Sequence, residues 1–224
     1  MVEGILISIT REGENSDLYQ ELINCGIPIV FFNRVSSKIV APKVIIDDYK
    51  MAFFATEHLI YNGFKKIYHF SGPVNLIVSM ERKKGFLDAM NKHHLPINEN
   101  SVTKAGIFSD KGYEAMNSLI EKNDIPEAIF CFNDPTAFGA LKAIKEAGLK
   151  CPDDIALVGF TETALAQLVE PPLTSVEQPT IELGETAARL LLELINQTSP
   201  PEPQTISLHA ILNVRKSSTN VHKN

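Results

Sequence analysis

The chain has 224 residues, 44% of them hydrophobic and 21% charged, an ordinary globular composition with enough length for two modest lobes that each bury a core. Its 21 basic and 27 acidic residues give a formal net charge of −6, which excludes an overall basic surface for nucleic acid. No apolar run approaches the roughly 20 residues of a bilayer span, and no basic segment followed by an apolar one opens the chain, so the reading is cytoplasmic with no membrane partner. Cys25, Cys131 and Cys151 are odd in number, widely spaced and lack a Cys-x-x-Cys pair. They fit a reducing compartment, with Cys25 and Cys131 expected as small core residues.

In chain order, Val2 to Ser8 reads as a strand and Leu18, Leu22 and Ile23 as one face of a helix ahead of Gly26. Ile27 to Phe32 is the next strand, residues 33 to 42 a polar loop, and Val44 to Ile46 a third strand. Ala52, Ala55, Thr56, Leu59 and Ile60 mark a helix that Gly63 terminates. Lys66 to Phe70 returns as a strand, and a helix is predicted over Ser79 to Lys92. Val102 to Ile107 and a helix over Lys111 to Glu121 make another β/α unit. The most informative stretch follows: a short apolar strand, Ala128 to Phe132, stops at Asn133-Asp134-Pro135. There Asp134 reads as an N-cap before a first-turn proline, and the helix runs to Gly148. Ile155 to Phe160 is a second continuous apolar strand. A polar turn, the Pro171-Pro172 break, a strand at Leu173 to Val176 and a helix from Ile181 to Asn196 come next. Pro200 to Pro203 reads as a stiff linker, Thr205 to Val214 as one last strand, and the tail beyond Lys216 as disordered. This alternation argues for an α/β fold of parallel, doubly wound sheets, whose ligands sit beyond the carboxyl ends of the strands.

The order of motifs resembles the effector-binding module of the LacI (lactose repressor) family of transcription regulators. The matching pieces are Gly26-Ile-Pro-Ile-Val-Phe31, Ala55-Thr-Glu-His-Leu-Ile60 with Gly63, Ser71-Gly-Pro73, Arg82 with Gly85-Phe86, and Ile129-Phe-Cys-Phe-Asn-Asp134. They continue with Gly148-Leu149, Pro152 to Phe160, Pro171-Pro-Leu-Thr-Ser-Val176 with Gln178-Pro179, and Val214-Arg215 before Ser217-Ser-Thr219. The resemblance implies a two-lobed, periplasmic-binding-protein-like fold. Its N-terminal lobe would comprise residues 1–46 and 180–207, and its C-terminal lobe residues 47–179 and 208–224. Family members carry about two further β/α units, a hinge and a helix-turn-helix ahead of the Val2 strand, so the first lobe is expected to be incomplete and the chain to be a fragment with the DNA-binding head absent.

The same resemblance implies ligand-binding roles. Arg82 would donate to effector oxygens in the inter-lobe cleft, where a guanidinium fork suits hydroxyls, carboxylate or phosphate. Asn133, donor and acceptor at once, suits a sugar hydroxyl, although a strand-ending turn residue is its plainer role. Asn33 would contact effector from the other lobe, and Phe108 would close the pocket by stacking. Phe160 divides between core and pocket. Thr161 stands where many members place an aspartate after Gly-aromatic, so the charged acceptor is lost or displaced to Glu162.

No nucleotide fingerprint, phosphate loop, nucleophile elbow or His-Glu-x-x-His is present, and adjacent His93-His94 cannot share a helix face, so neither an enzyme nor a metal or cofactor site is expected. His58 is expected to be structural. The resemblance implies an effector-sensing module for a small metabolite, a sugar or sugar derivative, in a homodimeric regulator that meets operator DNA through a separate head. The alternative is a periplasmic sugar-binding protein for transport, which shares the architecture.

Overall fold

The computed structural model describes residues 2–196 and 203–219. Along it run β1 (Ile5–Ile7), α1 (Ser16–Asn24), β2 (Ile29–Phe32), β3 (Lys43–Ile46), α2 (Asp48–Tyr61), β4 (Ile67–Ser71), α3 (Ile77–Lys92), β5 (Val102–Lys104) and α4 (Ser109–Glu121). They are followed by β6 (Ala128–Cys131), α5 (Asp134–Glu146), β7 (Ala156–Thr161), β8 (Thr174–Glu177), α6 (Thr180–Asn196), β9 (Thr205–Leu208) and β10 (Ile211–Asn213). Short 3-10 turns lie at Ala164–Gln167 and Lys216–Ser218. Glycines close three of the helices in the left-handed region: Gly26, at φ 81°, ends α1, Gly63, at φ 88°, ends α2 and Gly148, at φ 74°, ends α5.

By contact the chain divides into two units, Met1–Asp47 with Asn75–Val78 and Pro179–Ala210, and Asp48–Val74 with Ser79–Gln178 and Ile211–Asn224. The first unit holds a four-stranded sheet in the order β1-β2-β3-β9, parallel throughout, with Phe31 opposite Lys43 and Val44 opposite Ile206. Ile29 and Phe31 of β2 point into a core with Ile9, Val35 and Ile39, against which Tyr19, Leu22 and Ile23 of α1 pack. β1 and β9 are the edge strands, and Leu6 of β1 is 37% exposed.

The second unit holds a six-stranded sheet in the order β10-β8-β7-β6-β4-β5, in which only β10 is antiparallel. Its central strands are apolar on both faces because helices cover both. Ile129 and Cys131 share a core with Met116 and Leu119 of α4 and with Ala137, Ala140 and Ile144 of α5. The intervening Phe130 turns the other way and stacks on His69, whose opposite neighbour is Phe86 of α3.

Four expectations need correction. The single last strand is two: β9 pairs parallel with β3, and after His209-Ala210 the chain starts β10 against β8, in the other sheet. The cap of α5 is Asn133, not Asp134, which is the first helical residue and is buried. Cys25 is exposed at the end of α1, while Cys131 is buried. The residues just past Lys216 are ordered, because Ser217 and Ser218 are buried and hydrogen-bonded to Thr174. The linker expectation at Pro200-Pro201 lies outside the described residues.

Candidate functional site

The candidate site is the face of the second unit formed by the carboxyl ends of β4, β6, β7 and β8. Arg82 reaches it from the second turn of α3 and is 3% exposed. Its Nε donates to Asp48 Oδ1 at 2.7 Å, a terminal nitrogen lies 2.7 Å from the same oxygen, and the other donates to the Phe132 carbonyl at 2.6 Å. The guanidinium carbon sits 3.6 Å from the centroid of the Phe160 ring and 4.7 Å from that of Phe132, a cation–π arrangement strengthened by desolvation. Burial pulls the Arg82 pKa down, and the charges of Asp48 and Asp134 hold it up.

Asn133 leaves β6 in extended conformation and caps α5: its Oδ1 accepts from Thr136 N at 3.0 Å and Thr136 Oγ1 at 2.7 Å, while its Nδ2 donates to the Ile107 carbonyl at 2.9 Å. That last bond ties the cap to the loop carrying Phe108, which is 65% exposed. Asp134 turns inward, accepting from Ser175 Oγ at 2.5 Å and Thr163 N at 2.6 Å. Burial raises its pKa from the ordinary aspartate value. Gly159 makes this possible, because a Cβ there would run into Asp134 Oδ1.

Phe160 is fully buried beneath Arg82. Thr161 ends β7 at φ 98° and Glu162 follows at φ 52°, two consecutive left-handed residues in which a β-branched side chain is strained. The Glu162 carboxylate, the position to which a displaced acceptor would move, is held in an ion pair. Both its oxygens engage the Arg215 guanidinium, which also donates to the Leu173 carbonyl at 2.8 Å. Asn33 belongs to the first unit. It sits just past the carboxyl end of β2 at φ 58°, its amide donating to the Val44 carbonyl at 2.9 Å.

Arg82, Phe160, Asn133 and Thr161 thus share one end of one sheet, with Phe108 on the loop that Asn133 anchors. Sequence reasoning missed Asp48 and Arg215, the two ion-pair partners that fix the charge of this face. The only signal for Asp48 was an acidic residue in the first turn of a helix, which ordinarily serves the helix dipole. His58 meets Ser218 Oγ at 2.7 Å and His93 meets Glu57 at 2.6 Å. No helix of the described residues is long and apolar enough to cross a membrane.

Parallel α/β units with a polar face at their strand ends define a ligand-binding domain of the periplasmic-binding-protein type. Residues 56–218 match the periplasmic binding protein-like domain family, and the chain belongs to it, in the form carried by LacI-family regulators. The HTH-type transcriptional repressor PurR of Actinobacillus pleuropneumoniae serotype 3 (strain JL03) is 33% identical over 224 residues, 99% of this chain, which spans 66% of that protein's length. The transcriptional regulator CelR, solved as a complex with cellobiose, superposes with a TM-score of 0.88 at 30% identity, over 96% of this chain and 65% of that one. A LacI-family regulator from Enterococcus faecium, solved with bound ribose, gives a TM-score of 0.89 at 25% identity, over 97% of this chain and 80% of the other.

Proposed function

We propose that this chain is the effector-sensing domain of a transcriptional repressor, and that it binds a small polar metabolite, a sugar or sugar derivative, without chemically altering it. The observation that carries the reading is the fixed guanidinium at the strand ends. Asp48, the Phe132 carbonyl and the Phe160 ring hold Arg82 in one orientation, yet they engage three of its five N–H groups. Two donors are left unused by these partners, and because the plane is already fixed they would lose little entropy on binding. Phe108, exposed on the loop that Asn133 anchors, offers a flat apolar surface of the kind a pyranose face stacks on. The Thr161 hydroxyl, at the end of β7, is the further polar contact. Support for a sugar comes from the cellobiose and ribose complexes of similar regulators.

In the cytoplasm the domain would act as part of a homodimeric regulator, its ligand biasing a DNA-binding head between operator-bound and free states. The bias can be no larger than the ligand's differential affinity for those states. The test is a thermal-shift panel of neutral mono- and disaccharides, their uronic acids, sugar phosphates, nucleobases and nucleosides. A true effector raises the unfolding midpoint in a concentration-dependent way, and the raised midpoint should disappear in a Thr161→Val, Phe108→Ala double variant. No shift from any member would overturn the reading.

A further inference from the structure

We infer that Asp48 sets the charge class of the ligand: it converts Arg82 from an anion receptor into a neutral hydrogen-bonding plate, so that this face takes uncharged polyhydroxyl molecules and rejects carboxylates and phosphates. The inference rests on the reading of the face as a ligand site and deepens it.

A guanidinium left alone in a desolvated site is a strong receptor for carboxylate and phosphate. Here the same Asp48 oxygen receives both Nε and a terminal nitrogen of Arg82, and the two side chains are 7% and 3% exposed. Water therefore screens the pair little, and it presents itself outward as a dipole with no net charge. Asp134 lies close enough to act electrostatically on Arg82 as well, and it is buried behind Gly159. The other guanidinium in this part of the unit, Arg215, is matched by Glu162. Counting Arg82 with Asp48 and Arg215 with Glu162, Asp134 is left over, so the sum is zero when it is protonated and negative when it is not. Lys104, at the end of the outer strand β5, is exposed, where solvent screening weakens its pull. An anion placed against the remaining N–H groups of Arg82 would feel Asp48 across the guanidinium and Asp134 beyond it, and the groups counted above leave no positive surplus to hold it. A hydroxyl there meets donors from Arg82 and keeps its own proton for an acceptor.

The experiment uses matched probes at constant ionic strength: glucose against glucuronate, galactose against galacturonate, and inorganic phosphate against chloride. With the parent protein, any sugar that raises the midpoint should be the neutral member of its pair, with the acid at least tenfold weaker, and phosphate should give nothing beyond chloride. With Asp48→Asn, the midpoint should fall and be partly restored by glucuronate, galacturonate or phosphate over chloride. The added change Arg82→Met should abolish that restoration. An acid that stabilises the parent as well as its neutral partner, or an Asp48→Asn protein with no preference for these anions, overturns the inference. Should Asp48→Asn not fold, the acid and phosphate arms on the parent decide it alone. The two readings fail separately: an anionic hit in the panel leaves the ligand-sensing function standing and removes this one, whereas silence from every member of the panel defeats the former while the anion arm on Asp48→Asn still judges the latter.

Discussion

His69 and Phe130 lie face to face on neighbouring strands, ring centroids 4.9 Å apart and planes 20° from parallel, while His69 Nδ1 meets the Phe130 carbonyl oxygen at 2.9 Å. Both rings are fully buried, and Nε2 has no hydrogen-bond partner among the described residues. The imidazole is therefore neutral with its proton on Nδ1, and burial pulls its pKa down from 6.5 to about 4. Because the unfolded chain takes up this proton more readily, the stabilisation is complete above pH 6.5 and is lost as pH falls from there to about 4. A shift of this size corresponds to about 3 kcal/mol. Urea midpoints at pH 7.5 and 4.5 should fall further for the parent than for His69→Phe, which cannot titrate. Equal losses in the two proteins would show that His69 is already protonated in the folded state.

The ion pair beneath the candidate site yields a second expectation. Arg82→Met leaves Asp48 buried without its counter-charge, and Asp48→Asn leaves the guanidinium without its own. Each single change should cost about 3 to 5 kcal/mol. Removing both should cost much less than the sum, because no buried charge is then stranded. Chemical denaturation of the four proteins reads the coupling directly. Additive losses would mean that the pair is more hydrated than its burial indicates.

The contrast between Asn133 and Asp48 shows what could be read from residues alone. The β6–α5–β7 unit was legible because Ala128 to Cys131 and Ala156 to Phe160 are unbroken apolar runs, and because Pro135 and Gly148 punctuate the helix between them. The cap itself falls one residue earlier than Asp134, since Asn and Asp are comparably good caps and local sequence does not choose between neighbours. The packing of Asp134 against Ser175 decides it, 41 residues away in the chain. Asp48 was invisible for the same reason: its partner Arg82 is 34 residues distant. The division of Thr205 to Val214 between two sheets was likewise hidden, because each half alternates as any strand does and only the partners, β3 and β8, separate them.

The crossing of α4 and α5 positions both Phe108 and Asn133, and it depends on two glycines packed against opposing backbone. A Cβ on Gly139 would meet the Ser109 carbonyl and come 2.7 Å from Tyr113 N, and one on Gly112 would meet the backbone of Thr136. Backbone cannot move aside as a flexible side chain can. Gly139→Ala should therefore destabilise by about 1 to 3 kcal/mol despite the better helix propensity of alanine. It should also weaken any effector that stacks on Phe108, since α4 begins at the next residue. A denaturation midpoint equal to or above that of the parent would show that the helices can separate without cost.

Ser217 makes the C-terminal turn part of the second unit's core. Its hydroxyl donates to the Leu157 carbonyl at 2.6 Å and accepts from Thr174 N at 2.8 Å, and its amide donates to the Pro172 carbonyl at 3.0 Å. It thus bridges β7 and the start of β8 at 1% exposure. Ser217→Ala removes the hydroxyl and strands the buried Thr174 amide, which should cost about 1 to 3 kcal/mol. Ser217→Thr restores the hydroxyl but adds a methyl in a packed site, so it should recover only part of that. Because β7 ends at Phe160 and Thr161, the alanine change should also loosen the ring on which Arg82 rests. Amide hydrogen exchange along residues 156–161, measured beside the urea midpoint, reads this: faster exchange there with a lowered midpoint is expected. A lowered midpoint with unchanged exchange would confine Ser217 to anchoring the chain terminus.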